Sequence, residues 1–296
     1  MALPAVVKLK TGSTQDMKKI GMFLAGCLSL VASTVTGAPL YPNSVVSNDL
    51  EFIATSDQSA FACVTFEGRR EAEMPDKRTD RLMAKKTFIF TAHYTDGTAV
   101  GLWAHPKFKS QEKALASVGP AAEAIGKLPT FMRATLDHVV IHRGDETAFG
   151  ESEGRFFVLY SGNIKTRIRN HDLEETVFHE SVHATLDSRY ARSKKWLKAQ
   201  KADGDFITKY AKRLPKKEDL AESALFAWTI IMHPGRLPAN VEARAREIMP
   251  HRLAFLRICF LPSRYLKIPT VSRHANIWLS QVLFVRLQIP HSALES

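Results

Sequence analysis

The chain has 296 residues, 45% of them hydrophobic and 24% charged. That is the composition of an ordinary globular protein, and it excludes disorder throughout. The net charge of +11 does not demand a polyanionic partner, because residues 1–37 and 263–296 carry more than half of it and leave only +5 for the middle; nucleic-acid binding is not expected.

The first segment reads as an address label. Lys18 and Lys19 precede the apolar run 20–31, and small residues follow through Ala38, the three-part pattern of a secretory signal peptide over residues 1–37. The apolar run is too short for a permanent membrane span. Residues 1–16 do not fit a signal's short basic start, so translation is expected to begin at Met17, with cleavage at or just before Val35-Thr36-Gly37. A rival reading takes Leu24-Ala25-Gly26-Cys27, which resembles a bacterial lipobox; acylation at Cys27 is then the one route to membrane association. On either reading the mature protein is exported, to the periplasm or beyond the cell. Of the other two cysteines, Cys63 and Cys259, pairing and two free thiols are both open readings, since spacing alone does not bring their Cα atoms within bridging distance.

Residues 39–60 are an irregular lead-in. The texture from 61 to 106 is β, with strands expected at 62–66, 87–94 and 99–103, the last two joined as a hairpin by Thr95-Asp96-Gly97-Thr98. A helix is expected over 110–125, stopped by Gly126 and Pro129, then strands at 138–142 and 155–160. Lys165, Arg167 and Arg169 read as a solvated loop. Beyond Asp172 the period turns helical and stays so to about residue 256, with 194–201 a wet helix face. Strands, a helix, more strands and then a helical half argue an α+β fold, mainly β with a small sheet towards the N-terminus. The divisions expected are an N-terminal α+β region 38–135, a core 136–256 carrying the chemistry, and a tail 257–296 with no assigned role.

The chemistry is concentrated in His179-Glu180-Ser181-Val182-His183, an HExxH motif. On a helix, residues i and i+4 share one face a turn apart, so both imidazoles can bind one Zn²⁺, and Glu180 beside them can take a proton from an attacking water. Asp172 with Glu175 three residues on is a capping-box pattern, and no Pro or Gly interrupts 173–190. The bland alternative is two histidines on a packed helix beside a surface glutamate. A catalytic zinc needs a third protein ligand. Glu218 and Glu222 are again i and i+4, on a helix that Pro215 introduces and His233-Pro234-Gly235 ends. Their alternative is a solvated acidic first turn favoured by the helix dipole. His138 and His142 are also four apart, but on a strand, two pleats from one another, where a shared metal is not expected.

HExxH followed by Glu218 in an ExxAE helix resembles the gluzincin metallopeptidases, and among them is nearest in kind to the lethal factor catalytic domain. The resemblance covers residues 170–235; the N-terminal half matches no peptidase domain, and the exported region as a whole reads as a bacterial family of its own with this motif set. It implies a zincin-like core, a zinc-dependent peptidase acting on peptides or proteins, and a ligand set of His179, His183 and Glu218, with Glu222 supporting a ligand histidine. The opposite assignment of Glu218 and Glu222 stays open. His183 with Asp187 resembles the HxxxD continuation of thermolysin-like enzymes, making Asp187 another supporting residue. Tyr210 is a candidate to steady an oxyanion, as a tyrosine shortly before the third ligand does in the lethal-factor kind. The strand 155–160, just ahead of the HExxH helix, is the candidate platform for an extended substrate. The competing class is a non-catalytic cell-envelope or binding protein that keeps a metal for stability; an anionic-surface binder is a third reading.

Overall fold

The computed structural model describes residues 38–261. The expected signal segment with its Met17 start and Cys27, and the tail beyond 261, lie outside the described residues.

The expected hairpin forms from β2 (Met83–Tyr94) and β3 (Ala99–Ala104). Its turn requires Gly97, which sits at φ +82°, while Tyr94 N–H donates to Thr98 O at 3.0 Å and Gly97 N–H to Tyr94 O at 3.0 Å. β1 (Phe61–Glu73) pairs antiparallel with β2 and runs well past the apolar stretch that announces it. The extension Glu67-Gly68-Arg69-Arg70-Glu71 has no alternating signal because β1 is an edge strand, where charge on both faces costs little and discourages further pairing.

From β3 the sheet turns parallel. β3 pairs with β4 (His138–His142), and β4 with β6 (Phe156–Tyr160). β5 (Phe149–Glu151) closes the far edge antiparallel to β6, for an order β1-β2-β3-β4-β6-β5. β3 and β4 pair across residue 136, so the division expected there falls inside one sheet. All five residues of β4 are buried, as a central strand covered on both faces must be.

One sheet face, with Phe88, Phe90, Leu102, Val139, Phe157 and Leu159, packs against α1 (Gln111–Ile125) and α4 (Leu173–Thr185). Ser110 caps α1, its side chain accepting Lys113 N–H at 3.3 Å. The opposite face carries a smaller cluster of Met74, Val140, Val158 and Tyr160. The short α2 (Thr130–Thr135) and strand β5 are not apparent from periodicity. Lys165, Arg167 and Arg169 do not form a loop; they lie on α3 (Ser161–Arg169), directly after β6. The opening Ser161-Gly162-Asn163 reads as a breaker, but Ile164 and Ile168, one turn apart, pack on the core and hold the helix.

The helical half continues through α5 (Asp187–Tyr190), α6 (Lys194–Asp203), α7 (Lys209–Arg213), α8 (Asp219–Met232), α9 (Ala239–Ile248) and α10 (Pro250–Phe260). α8 is buried on nearly every side from Asp219 to Ile230 and lies against both α4 and α10, the position that an apolar helix takes. Cys63 on β1 and Cys259 on α10 are both free thiols. Among the described residues no helix is long and apolar enough to cross a membrane. The architecture is α+β: a six-stranded mixed sheet with ten helices among the described residues.

Candidate metal centre

α4 starts at Asp172, but the capping box does not form. The Asp172 carboxylate instead accepts the Arg167 guanidinium at 2.6 Å, and Glu175 turns inward to accept Phe52 N–H at 2.7 Å. Burial pushes the Glu175 carboxyl up to about 8. The helix is held by packing, with Val177, Phe178 and Val182 all in the core.

His179 and His183 then stand one turn apart on α4, and Glu218 stands at the cap position of α8. His179 Nε2 and His183 Nε2 are 3.2 Å apart, and Glu218 Oε2 is 3.4 Å from the first and 3.3 Å from the second. A tetrahedral zinc with bonds of about 2.0–2.1 Å requires donors about 3.3–3.4 Å from one another, since a tetrahedron's edge is about 1.63 times its centre-to-corner distance. The three atoms outline one face of such a tetrahedron. Among the described residues this is the single group of three or more His, Cys, Asp or Glu side chains whose donor atoms converge in this way.

The second ring nitrogens are turned to carboxylates. His183 Nδ1 is 2.7 Å from Asp187 Oδ2, which places its proton there and leaves Nε2 to face the other donors. His179 Nδ1 has Glu222 Oε1 at 3.6 Å and no hydrogen-bond partner. The structure therefore brings Glu218 to the Nε2 atoms and Glu222 to the opposite side of one imidazole. Burial works against charge on both rings, but the carboxylates outweigh it: Asp187 and Glu218 hold His183 well above the ordinary histidine range, and Glu218 and its neighbours raise His179. Burial likewise works against ionised Glu218, yet the two imidazoles hold its carboxyl well below the usual carboxylate range.

Glu180 is 9% exposed, and burial raises its carboxyl against the pull of the two imidazoles. Tyr210 lies on the same cleft; burial first and the neighbouring Glu218 carboxylate second push its phenol well above the usual range, so it stays protonated. The cleft has a volume of about 980 Å³ and opens onto His179, Glu180, His183 and Glu218. Its wall includes β5, which approaches α4 so closely that a Cβ on Gly150 would stand 2.5 Å from His183 Cβ and 2.7 Å from Glu180 O. β6, read from sequence as the substrate platform, has β4 on one side and β5 on the other; the strand with a free edge beside the HExxH helix is β5.

His138 and His142 stay outside the centre. His138 stacks between Trp103 (3.7 Å between ring centroids) and Phe156 (4.9 Å), and His142 Nε2 is bonded to Pro75 O at 3.0 Å. Three contributors were not legible in the sequence: Ser44, Val45 and Thr208, all bonded to Glu222. If the three donors hold Zn²⁺, Asp187→Asn, which weakens the acceptor that orients His183, should loosen it by about 10–100-fold in a chelator-competition titration; unchanged affinity would show that the ring is oriented by packing alone.

No protein-family model, curated protein or solved structure matches the chain.

Proposed function

We propose that the chain is an exported zinc-dependent peptidase with a zincin-like core of the gluzincin kind, acting on peptide or protein substrates. One observation carries this reading: two imidazole nitrogens from α4 and a carboxylate oxygen from the N-cap of α8 stand 3.2–3.4 Å apart in the lining of an open cleft. Imidazole and carboxylate donors in this number suit Zn²⁺, and three protein ligands facing a cleft suit a catalytic rather than a structural site, which closes with four. A dication bound there would supply Lewis acidity to a water and to the scissile carbonyl.

The remaining work falls to the chain's own side chains. Glu180 takes the proton of the attacking water and passes it to the leaving amine nitrogen. Tyr210, protonated across the neutral range, donates to the carbonyl oxygen as it gains charge. Asp187 orients the His183 imidazole through its Nδ1 at 2.7 Å, and Glu222 is the carboxylate that faces His179 Nδ1 at 3.6 Å. The free edge of β5 offers main-chain hydrogen bonds to an extended peptide lying beside α4. Export rests on the signal pattern of residues 1–37.

The test is metal analysis joined to a peptide-library digest read by mass spectrometry. The purified chain should carry about one zinc, cut a subset of the library, lose cleavage to a chelator and regain it on zinc addition. Metal at background level, or cleavage indifferent to the chelator, would overturn the reading.

A further inference from the structure

Glu222 has no exposed side-chain surface, and a carboxyl in that position needs partners. They come from segments remote from it. Ser44 Oγ donates to Oε1 at 2.6 Å, Val45 N–H to Oε2 at 2.8 Å, and Thr208 Oγ1 to Oε2 at 2.8 Å. Oε1 also faces His179 Nδ1 at 3.6 Å, a buried ring nitrogen with no other partner. Glu222 thus links residues 44–45 to an imidazole of the centre.

Those residues belong to a strap, 38–57, whose backbone is held at several points. Leu40 N–H donates to Ile207 O at 2.9 Å and Lys209 N–H to Tyr41 O at 2.8 Å. Val45 and Phe52 are fully buried, with the Phe52 ring edge-on to Phe226 of α8 at 4.8 Å. Phe52 N–H donates to Glu175 of α4, and Asp57 pairs with Arg236, which bonds it at 2.5 and 2.6 Å. One segment with little regular structure therefore touches both helices that carry the metal donors.

We propose that Ser44, acting through Glu222, is a positioning residue that sets the orientation of the His179 ring, while the other anchors of the strap hold the fold. The inference rests on the metal reading above. The Val45 amide and Thr208 fix Oε2, and the Ser44 hydroxyl fixes Oε1; together they leave the carboxylate one orientation, the one that presents Oε1 to Nδ1. Without the hydroxyl, Oε2 stays bonded and Oε1 is free to turn. The loss then falls on the ligand's orientation, because the apolar anchors Val45 and Phe52 remain in place.

Zinc affinity of the full chain, measured by competition with a chromogenic chelator, should fall about tenfold in Ser44→Ala and return to the wild-type value in Ser44→Thr, which restores a hydroxyl. Asp57→Asn weakens the strap's Arg236 anchor away from Glu222; it should lower the melting temperature of the metal-free chain and leave zinc affinity unchanged. The proposal is overturned if Ser44→Ala binds zinc as tightly as wild type, if Ser44→Thr fails to recover affinity, or if Asp57→Asn weakens zinc as much as Ser44→Ala does. A wild-type chain that binds no zinc removes the metal reading and this proposal together, whereas normal wild-type binding with an unaffected Ser44→Ala removes this proposal alone.

Discussion

Glu180→Gln should lower peptide hydrolysis by about 10²–10⁴-fold while leaving the zinc content of the protein unchanged. The amide is nearly isosteric with the carboxylate and fits the same space on α4, where Glu180 is 9% exposed, but it cannot accept the proton of the attacking water. Metal retention follows from the geometry, since the converging donors are His179 Nε2, His183 Nε2 and Glu218 Oε2, and Glu180 is not among them. Two measurements on the same preparation decide the matter: kcat on the best library peptide and zinc by elemental analysis. A variant that keeps its zinc and cleaves within about threefold of wild type would place the base elsewhere, because the loss of general base catalysis costs far more than that. A variant that loses both would make Glu180 a determinant of the metal site itself.

Arg252→Ala is expected to cost about 3–5 kcal/mol of folding stability, the penalty for leaving buried charges without their partner. The Arg252 side chain is fully buried on α10. Its Nε bonds Asp203 Oδ2 at 2.8 Å, and its terminal nitrogens reach Asp219 Oδ1, Asp205 O and Ile248 O. Burial raises the Asp219 carboxyl, and Arg252 opposes that rise together with hydrogen bonds from Gln200 and Ser223. Asp219 is the first residue of α8, directly after Glu218, so this ion pair anchors the start of the helix next to the third converging donor. Urea unfolding of the metal-free chain measures the stability loss, and the same variant should bind zinc more weakly than its residual fold alone would allow. A loss below about 1 kcal/mol would mean that water reaches Asp203 and Asp219 once the guanidinium is gone, and that the pair does not anchor the start of α8.

The parts of the centre that follow from local spacing were readable. A helical period carries His179 and His183 to one face whatever the rest of the chain does, and the same arithmetic separates Glu218 from Glu222 by one turn. The Asp96-Gly97 turn with its flanking strands was equally local, because a left-handed glycine and a two-stranded register need only neighbouring residues. The capping box misled for the opposite reason: Asp172 and Glu175 have the right spacing, but Arg167 and the Phe52 amide, 123 residues from Glu175 in the second case, compete for their carboxylates more effectively than the helix's own N–H groups.

The amino-acid order by itself determined which side chains can act together along one helix, where the hairpin turns, and that the chain is α+β. Only the tertiary structure decided that Glu218 meets the two Nε2 atoms while Glu222 faces an Nδ1, that β5 rather than β6 is the free edge beside α4, and that Ser44 bonds Glu222 and Arg252 bonds Asp219 from opposite ends of the described chain. Periodicity reports which face of an element is buried and is blind to what it is buried against. The contacts that choose between two acids on one helix face are hydrogen bonds and ion pairs closed across large sequence separations, and their geometry exists only once the apolar core has fixed the distance between α4 and α8.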